Sequence, residues 1–318
     1  MRAVRPARWR YGEREDGAVY HRMIRAALGR DWLPAYVLVA PSLVLIGAFT
    51  VYPIIAAVYN SFFDWNLIDY QVKTAVGVRN YVHLLRDRDF WSVVWNTVVF
   101  TLGTVPISMA LALLVALPLT RRIAGLSFYR TAYFLPVVTP IVAISLGWML
   151  LFDANYGLIN YLLGFLRIPP QPWLSRPESA MAAVITMSVW KGLGFGVVIY
   201  IAGIHTIPLT LYEAATIDGA GAGRQFASIT WPLLVPTTFF ILIISTISSF
   251  QAFGQIYVLT RGGPVRSTTT IVYDLYMNAF EFFKMGYASA ESILLFLLLG
   301  AFTVAQWRMS RRQQEILF

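Results

Sequence analysis

Two groups of residues in this chain have types and spacings that could do work. The first is a polar stretch between long apolar runs, Tyr212-Glu-Ala-Ala-Thr-Ile-Asp-Gly-Ala-Gly-Ala-Gly-Arg-Gln-Phe-Ala-Ser-Ile-Thr-Trp-Pro232. Glu213, Asp218 and the small residues Ala214, Ala215 and Ala220 do not suit a lipid-facing helix. They suit a short helix outside the membrane, ended by Gly219, that offers a small-residue surface to a partner. The second group centres on Lys191. Ser188, Lys191, Gly192 and Phe195 follow at steps of 3, 1 and 3, which places them on one helix face. A lysine, a hydroxyl and an aromatic ring on one face suit a polyhydroxylated ligand, and they suit helix packing as well. An ionisable group in an apolar run marks a pathway, a cavity or a buried ion pair, or else its ammonium reaches out to the interface. Further on, Ser248, Gln251, Ala252 and Gln255 repeat the 3-1-3 steps, with Ser249 beside them. Two polar faces at similar depth would line a wet path. Hydrogen bonds between helices explain single serines, but two glutamines with several serines go beyond that need.

Other chemistries are missing from the sequence. No Gly-x-x-x-x-Gly-Lys-Ser/Thr loop exists, and none of the three lysines (Lys73, Lys191, Lys284) follows a glycine, so a P-loop nucleotide site is not expected. The chain has no cysteine, and its three histidines (His21, His83, His205) are far apart, so neither a metal site nor a thiol nucleophile is expected. His83 reads as a surface histidine. Gly194 and Gly196 resemble part of a dinucleotide fingerprint, but no strand precedes them and close helix packing accounts for them better. No serine shares a helical face with a plausible base. A catalytic site and a bound cofactor are therefore not expected.

These residues must be held by helices in a bilayer. Of 318 residues, 58% are hydrophobic and 13% charged, against about a quarter charged in a soluble domain. Six runs reach the roughly 20 residues a span needs: 36–60, 92–117, 131–152, 180–203, 233–256 and 290–309. Internal prolines, Pro41, Pro53, Pro106, Pro136, Pro140 and Pro236 among them, are tolerated in bundled membrane helices. The first run is too long for a signal-peptide core and reads as a retained helix. With the N-terminus inside, the inner segments carry fifteen arginines and seven acids, and the outer loops nine basic and nine acidic residues. That asymmetry places both termini in the cytoplasm. It also accounts for the net charge of +9 without nucleic acid. The expected organisation is a basic tail over 1–31, a membrane domain over 32–310 with a cytoplasmic loop over 204–232, and a short tail over 311–318. The outer loop 153–179 holds Pro169-Pro170-Gln-Pro172-Trp173, read as a rigid turn with an interfacial tryptophan. The outer segment 257–289 reads as glycine- and threonine-rich, then aromatic, dipping back at the interface.

Glu213-Ala-Ala-Thr-Ile-Asp218-Gly219-Ala-Gly, followed by Ile229-Thr-Trp-Pro232, resembles the EAA loop of permease subunits of binding-protein-dependent ABC importers. Trp231 stands where leucine is usual. Tyr257-Val-Leu-Thr-Arg-Gly262-Gly263-Pro264, Thr268-Thr269-Thr270, Phe134-Leu-Pro136 and Phe90 with Asn96-Thr97 resemble the carbohydrate-uptake branch, of maltose and glycerol-3-phosphate type. The resemblance implies an all-α, six-span type I permease fold in the inner (plasma) membrane. It implies a second homologous permease, an extracytoplasmic solute-binding protein, and a dimeric cytoplasmic ABC ATPase that uses ATP and Mg. The loop, with Glu213, Ala214, Ala215, Asp218, Gly219 and Ala220, would be the coupling helix that docks on that ATPase. Carried over by alignment, the substrate contacts of the maltose-type importer fall on Ser188, Lys191, Gly192, Phe195, Ser248, Ser249 and Ala252, with Val137 and Ile141 on a third helix. The asparagines and tyrosine of that site are serine, alanine and valine here, so the resemblance does not carry the substrate. A glycerol-3-phosphate or glycerophosphodiester importer is the alternative, and an ATP-independent channel or carrier a weaker one.

Overall fold

The computed structural model describes residues 32–317 apart from 67, 69–72 and 121–124, and side chains between 36 and 308. The tail 1–31 and Arg121 and Arg122 of the inner loop lie outside the described residues. The chain is mostly helical. It divides into a unit ending at Ala57 and a unit from Val58 onward.

The first unit holds most of helix α1, which runs Trp32–Ile46, through a π-helical turn Gly47–Val51, into Tyr52–Ser61. Its side chains are apolar and exposed, Leu38 and Phe49 most of all. A helix hydrophobic on every side belongs in lipid or against other membrane helices.

In the second unit a hairpin of β1 (Phe63–Trp65) and β2 (Lys73–Ala75) pairs Trp65 with Lys73. The Lys73 ammonium lies 4.6–5.0 Å from the ring centres of Tyr59, Phe63 and Trp65 and donates to Asn60. Amphipathic α2 (Arg79–Arg86) follows. Then come α3 (Arg88–Leu119), α4 (Leu126–Val138), α5 (Ile141–Leu151), α6 (Leu158–Phe165) and α7 (Pro177–His205). Helix α8 (Leu209–Ile217) leads into α9 over Ala222–Phe250, which contains a π-helical turn, Phe226–Thr230. Helices α10 (Gly254–Leu259), α11 (Ile271–Tyr276) and α12 (Met285–Leu317) complete the chain.

Helices α3 and α7 form the spine. Phe100 clusters with Ala183, Val184 and Met187, while Ala112 and Ala116 cluster with Val197, Tyr200 and Ile201, so the two helices run in parallel. Small residues allow this approach. A Cβ on Gly196 would meet that of Ala112 at 2.7 Å, and one on Gly194 would collide with the Tyr133 carbonyl of α4. The packing expected of these two glycines is what the fold contains.

Among the described residues, five helices are long and apolar enough to cross a membrane, and a sixth span exists if the bent pair α4–α5 is counted as one. That pair corrects the expectation of a continuous helix over 131–152. The chain turns by 103° between Val138 and Ile141. Thr139 is extended because it precedes a proline, and Pro140 has no N–H to offer Pro136. The run 233–256 is likewise interrupted. Helix α9 ends at Phe250, Gln251 caps it, and a new helix starts at Gly254. In the loop after α5, the Trp173 indole donates to Asn160 at 2.9 Å and packs half-buried beside Phe152. Buried Asn160 holds this loop by donating to three carbonyls and accepting from Gln171.

The residues that carried the family resemblance lock onto each other. Asn96 of α3 donates to the carbonyls of Arg266 and Thr269, and the amide of Ile271 donates to Thr97. The Thr268, Thr269 and Thr270 hydroxyls bind the carbonyls of Gly263, Gly262 and Ala252. Within the segment 257–289, residues 266–271 are thus tied to α3.

Candidate coupling surface and transport cavity

Helix α8 carries Glu213, Ala214 and Ala215, and Asp218 caps its C-terminal end. Gly219 follows at φ +76, the left-handed region that costs an L side chain about 1–2 kcal/mol. The Ala220 amide donates to Ala215 O at 2.8 Å and the Gly219 amide to Thr216 O at 3.0 Å. This paired closure satisfies carbonyls that a helix end otherwise leaves bare. Gln225 fixes the turn by donating to Thr216 and the Ala220 carbonyl. The Tyr212 hydroxyl meets that of Thr230, tying α8 to α9. Only one side of α8 is held. Tyr212 packs toward the core, while Glu213, Ala214, Asp218, Gly219 and the apolar Leu209 and Ile217 are exposed, Ile217 at 86%. Helix α8 thus turns acidic, small and apolar side chains outward while its other side is held.

The second group meets in one cavity of about 530 Å³. Ser188, Lys191, Gly192 and Phe195 from α7 line it with Ser248 and Ser249 from α9, and Gln251, Ala252 and Gln255 at the break beyond. Val137 and Ile141 complete the wall from either side of the α4–α5 bend. The 3-1-3 face proposed for Ser248, Gln251, Ala252 and Gln255 is not a helical face. The chain unwinds between Phe250 and Gly254, and the turn brings the same residues to the same cavity. Sequence reasoning missed the contribution of α3, whose Phe100, Thr104, Val105 and Ser108 also line the space. Their repeat at steps of 4, 1 and 3 was the available signal, hidden in an apolar run. Thr101, on the same helix, accepts a hydrogen bond from Ser249.

Lys191 sits at the midpoint of α7. Its ammonium donates to Pro136 O and Thr139 O, each at 3.0 Å. These are carbonyls of the α4 terminus, and Pro136 O is the one that Pro140 cannot serve. A cation at a helix C-terminus is also favoured by the aligned peptide dipoles. Lys191 therefore both caps the bend and lends positive charge to the cavity.

A further polar pocket, of about 700 Å³, lies among α2, β1 and the α11 region and includes Asp87, Arg266, Asp274 and Asn278. Arg266 pairs with Asp274 at 2.7 Å, and Asn278 bridges Asp274 to the fully buried Glu291 of α12. Burial holds the Asp274 carboxyl above the ordinary carboxylate range, against the pull of Arg266. Among the described residues, no group of three or more His, Cys, Asp or Glu is placed to hold a metal ion.

Residues 86–313 match the family model described as binding-protein-dependent transport system inner membrane component. The chain belongs to this family. It is a multi-pass inner-membrane permease component, not a catalytic one. Among its relatives, the sulfoquinovosyl glycerol transport system permease protein SmoG of Agrobacterium fabrum is 36% identical over 88% of this chain and 91% of its own. The sn-glycerol-3-phosphate permease protein UgpA of the same organism is 36% identical, covering 86% and 93%. The trehalose/maltose permease protein MalF of Thermococcus litoralis is 36% identical, covering 88% and 94%. The fold matches a bacterial ABC transporter involved in import of the acidic polysaccharide alginate, at a TM-score of 0.78 and 23% identity, over 92% of this chain and 99% of that one. A bacterial alginate ABC transporter in complex with an alginate pentasaccharide-bound periplasmic protein matches the fold at a TM-score of 0.78 and 23% identity, over 91% of this chain and 97% of that one.

Proposed function

We propose that this permease translocates a sugar or related polyol, delivered by an extracytoplasmic binding protein and driven by ATP hydrolysed on another chain. The observation that carries the reading is the exposed, glycine-terminated α8, braced on one side and open on the other, next in sequence to the two helices that line the cavity. Energy would enter at Glu213, Ala214, Ala215, Asp218, Gly219 and Ala220. The substrate would pass Ser188, Lys191, Gly192, Phe195, Ser248, Ser249, Gln251 and Ala252. The relatives' names, which include sugar and glycerol-3-phosphate permeases, support the substrate class. Glycerol 3-phosphate or its diesters form the second reading, favoured by the Lys191 charge beside the cavity.

In this reading six spans cross the membrane, with the bent pair α4–α5 counted as one and both tails, 1–31 and 311–318, in the cytoplasm. The chain binds no cofactor and has no ATPase site of its own. ATP and Mg belong to a dimeric ABC ATPase, and a second homologous permease completes the pore. Purified in that complex and reconstituted, the chain is expected to support ATPase activity that rises with loaded binding protein, tested across a panel of sugars and polyols. ATP-independent flux through the chain alone would instead indicate a channel or carrier.

A further inference from the structure

A groove of about 600 Å³ lies between α4 and α7, apart from the Lys191 cavity. On α7 its lining runs Gly194, Val197, Val198, Ile201, Ala202 and His205, at steps of 3, 1, 3, 1 and 3. Those steps keep to one helix face, about a quarter-turn round α7 from the face that bears Ser188, Lys191 and Phe195. Arg130 and Phe134 of α4 stand opposite. Gly194, Val197 and Ile201 are buried and form a floor, while Val198, Ala202, Phe134 and Arg130 are exposed along the rims. At Gly194 the two helices meet, since a Cβ there would collide with the Tyr133 carbonyl. The other end is marked by Arg130 and by His205, the last residue of α7. From Gly194 to His205 the helical rise gives the floor a length of about 16 Å, close to the roughly 15 Å of one leaflet's hydrocarbon.

The lining grades from apolar to cationic, and its described residues include no aspartate or glutamate. The Arg130 guanidinium and the His205 ring make no hydrogen bond or ion pair with a described residue. Setting the topology requires a basic residue near a loop, but it requires no groove. A small soluble anion would use the two polar side chains and leave the apolar floor bare. A phospholipid would use both. Its acyl chain would lie along Val197, Val198, Ile201 and Ala202, and its phosphate would meet Arg130, whose fork of donors suits phosphate oxygens. A ring N–H of His205 supplies a further donor. Basic pockets between membrane helices on the cytoplasmic side bind anionic headgroups in this manner. We propose that this groove is a binding site for an anionic phospholipid of the inner leaflet. The proposal rests on the orientation given above, which sets Arg130 and His205 at the cytoplasmic end, and it is independent of the substrate.

The test uses the complete permease–ATPase complex, stripped of its own lipid in detergent. Phosphatidylglycerol or phosphatidylcholine with matched chains is titrated in, and native mass spectrometry reads each bound lipid. Phosphatidylglycerol is expected to fill one site at least tenfold more tightly than phosphatidylcholine. Arg130→Gln/His205→Gln should lose at least tenfold in that affinity, while Arg130→Lys retains most of it. Ala202→Trp, at an exposed rim position, should lose a comparable amount by filling the groove with both polar side chains intact. Equal affinity for the two lipids, or wild-type affinity in either the double variant or Ala202→Trp, would overturn the proposal. So would displacement of the lipid by glycerol 1-phosphate at matched concentration, because the headgroup alone would then suffice. Val198→Cys is a milder change and decides the matter should the other variants fail to assemble. A photo-crosslinker on that thiol is expected to capture phosphatidylglycerol; capture of the second permease instead would make the groove a subunit contact and overturn the proposal. The binding assay reads lipid whichever way the chain faces, whereas labelling of introduced thiols from outside tests the orientation, so the two fail separately.

Discussion

At the scale of residues, Lys191 shows how one side chain can serve two readings that its sequence left open. Its place on a polar face was legible from the 3-1-3 spacing. Its partners were not, because Pro136 and Thr139 lie 55 and 52 residues away and their carbonyls are bared by a bend. Replacing it with methionine keeps all but the last atom of the side chain's length and removes both hydrogen bonds and the charge. Lys191→Met is expected to cost about 1–3 kcal/mol, the desolvation left with unpaired buried carbonyls, and to cut uptake at least tenfold. Melting of the detergent-solubilised complex and transport in proteoliposomes check the two effects; unchanged uptake would remove Lys191 from the pathway. Gly219 makes the complementary case. Its special backbone was legible, since a glycine just past a helix end adopts the left-handed conformation that φ +76 here records. Gly219→Val is expected to abolish coupling, as is Glu213→Lys, while both proteins still insert in the membrane. Binding-protein-stimulated ATPase activity reads that loss, and normal ATP-driven uptake by both would rule out the coupling role.

At the scale of elements, apolar runs predicted the helices and concealed their breaks. Residues 131–152 are uniformly hydrophobic, so nothing in composition distinguishes a straight span from two helices at 103°. The signal was Pro140, which forces Thr139 out of helical geometry. The break after Phe250 carries no proline, and only the polar run Ser248-Ser249-Phe250-Gln251 hinted at it. Loops gave the least warning of all. Half-exposed Arg266 and buried Asp274 form a pair that spacing in an irregular segment could not reveal. Burial holds Asp274 above its ordinary value of 3.8, so the fold takes up its proton before the unfolded chain does. Its contribution to stability is therefore greatest at acid pH and declines as pH rises from about 4 through the folded value. Arg266 offsets that decline. Arg266→Ala would leave an ionised Asp274 without its partner and beside Asp87, and should cost on the order of 2 kcal/mol at pH 7.5, below the full value of a buried pair because Arg266 is half exposed. The loss should shrink as pH falls toward 4.5, because protonation of Asp274 removes the charge that Arg266 meets. Thermal melts of the variant at the two pH values decide it, and an equal loss at both would show that Arg266 acts through something other than this charge.

At the scale of the molecule, the expected orientation rests on charge asymmetry rather than on any motif. Counting arginines on alternate loops oriented six expected spans and placed the α8 surface on the same side as the termini, before any partner was considered. The asymmetry is legible because translocation of a basic loop is unfavourable, so orientation is written in composition. What the partners cover is not written there. Ile217 on α8 and Tyr156 after α5 stand 86% and 93% exposed, and the sequence gives no sign of it. Those two positions offer a direct test of the orientation, because the chain has no cysteine and a single introduced thiol is the only reactive one. In intact spheroplasts a membrane-impermeant maleimide is expected to label Tyr156→Cys fully and Ile217→Cys hardly at all. Permeabilised cells should label both when the ATPase is absent, and Ile217→Cys should lose at least several-fold in labelling rate once the ATPase is co-expressed. Labelling of Ile217→Cys from outside would invert the topology and detach α8 from any cytoplasmic ATPase. Protection that fails to depend on the ATPase would keep the topology and remove the docking role.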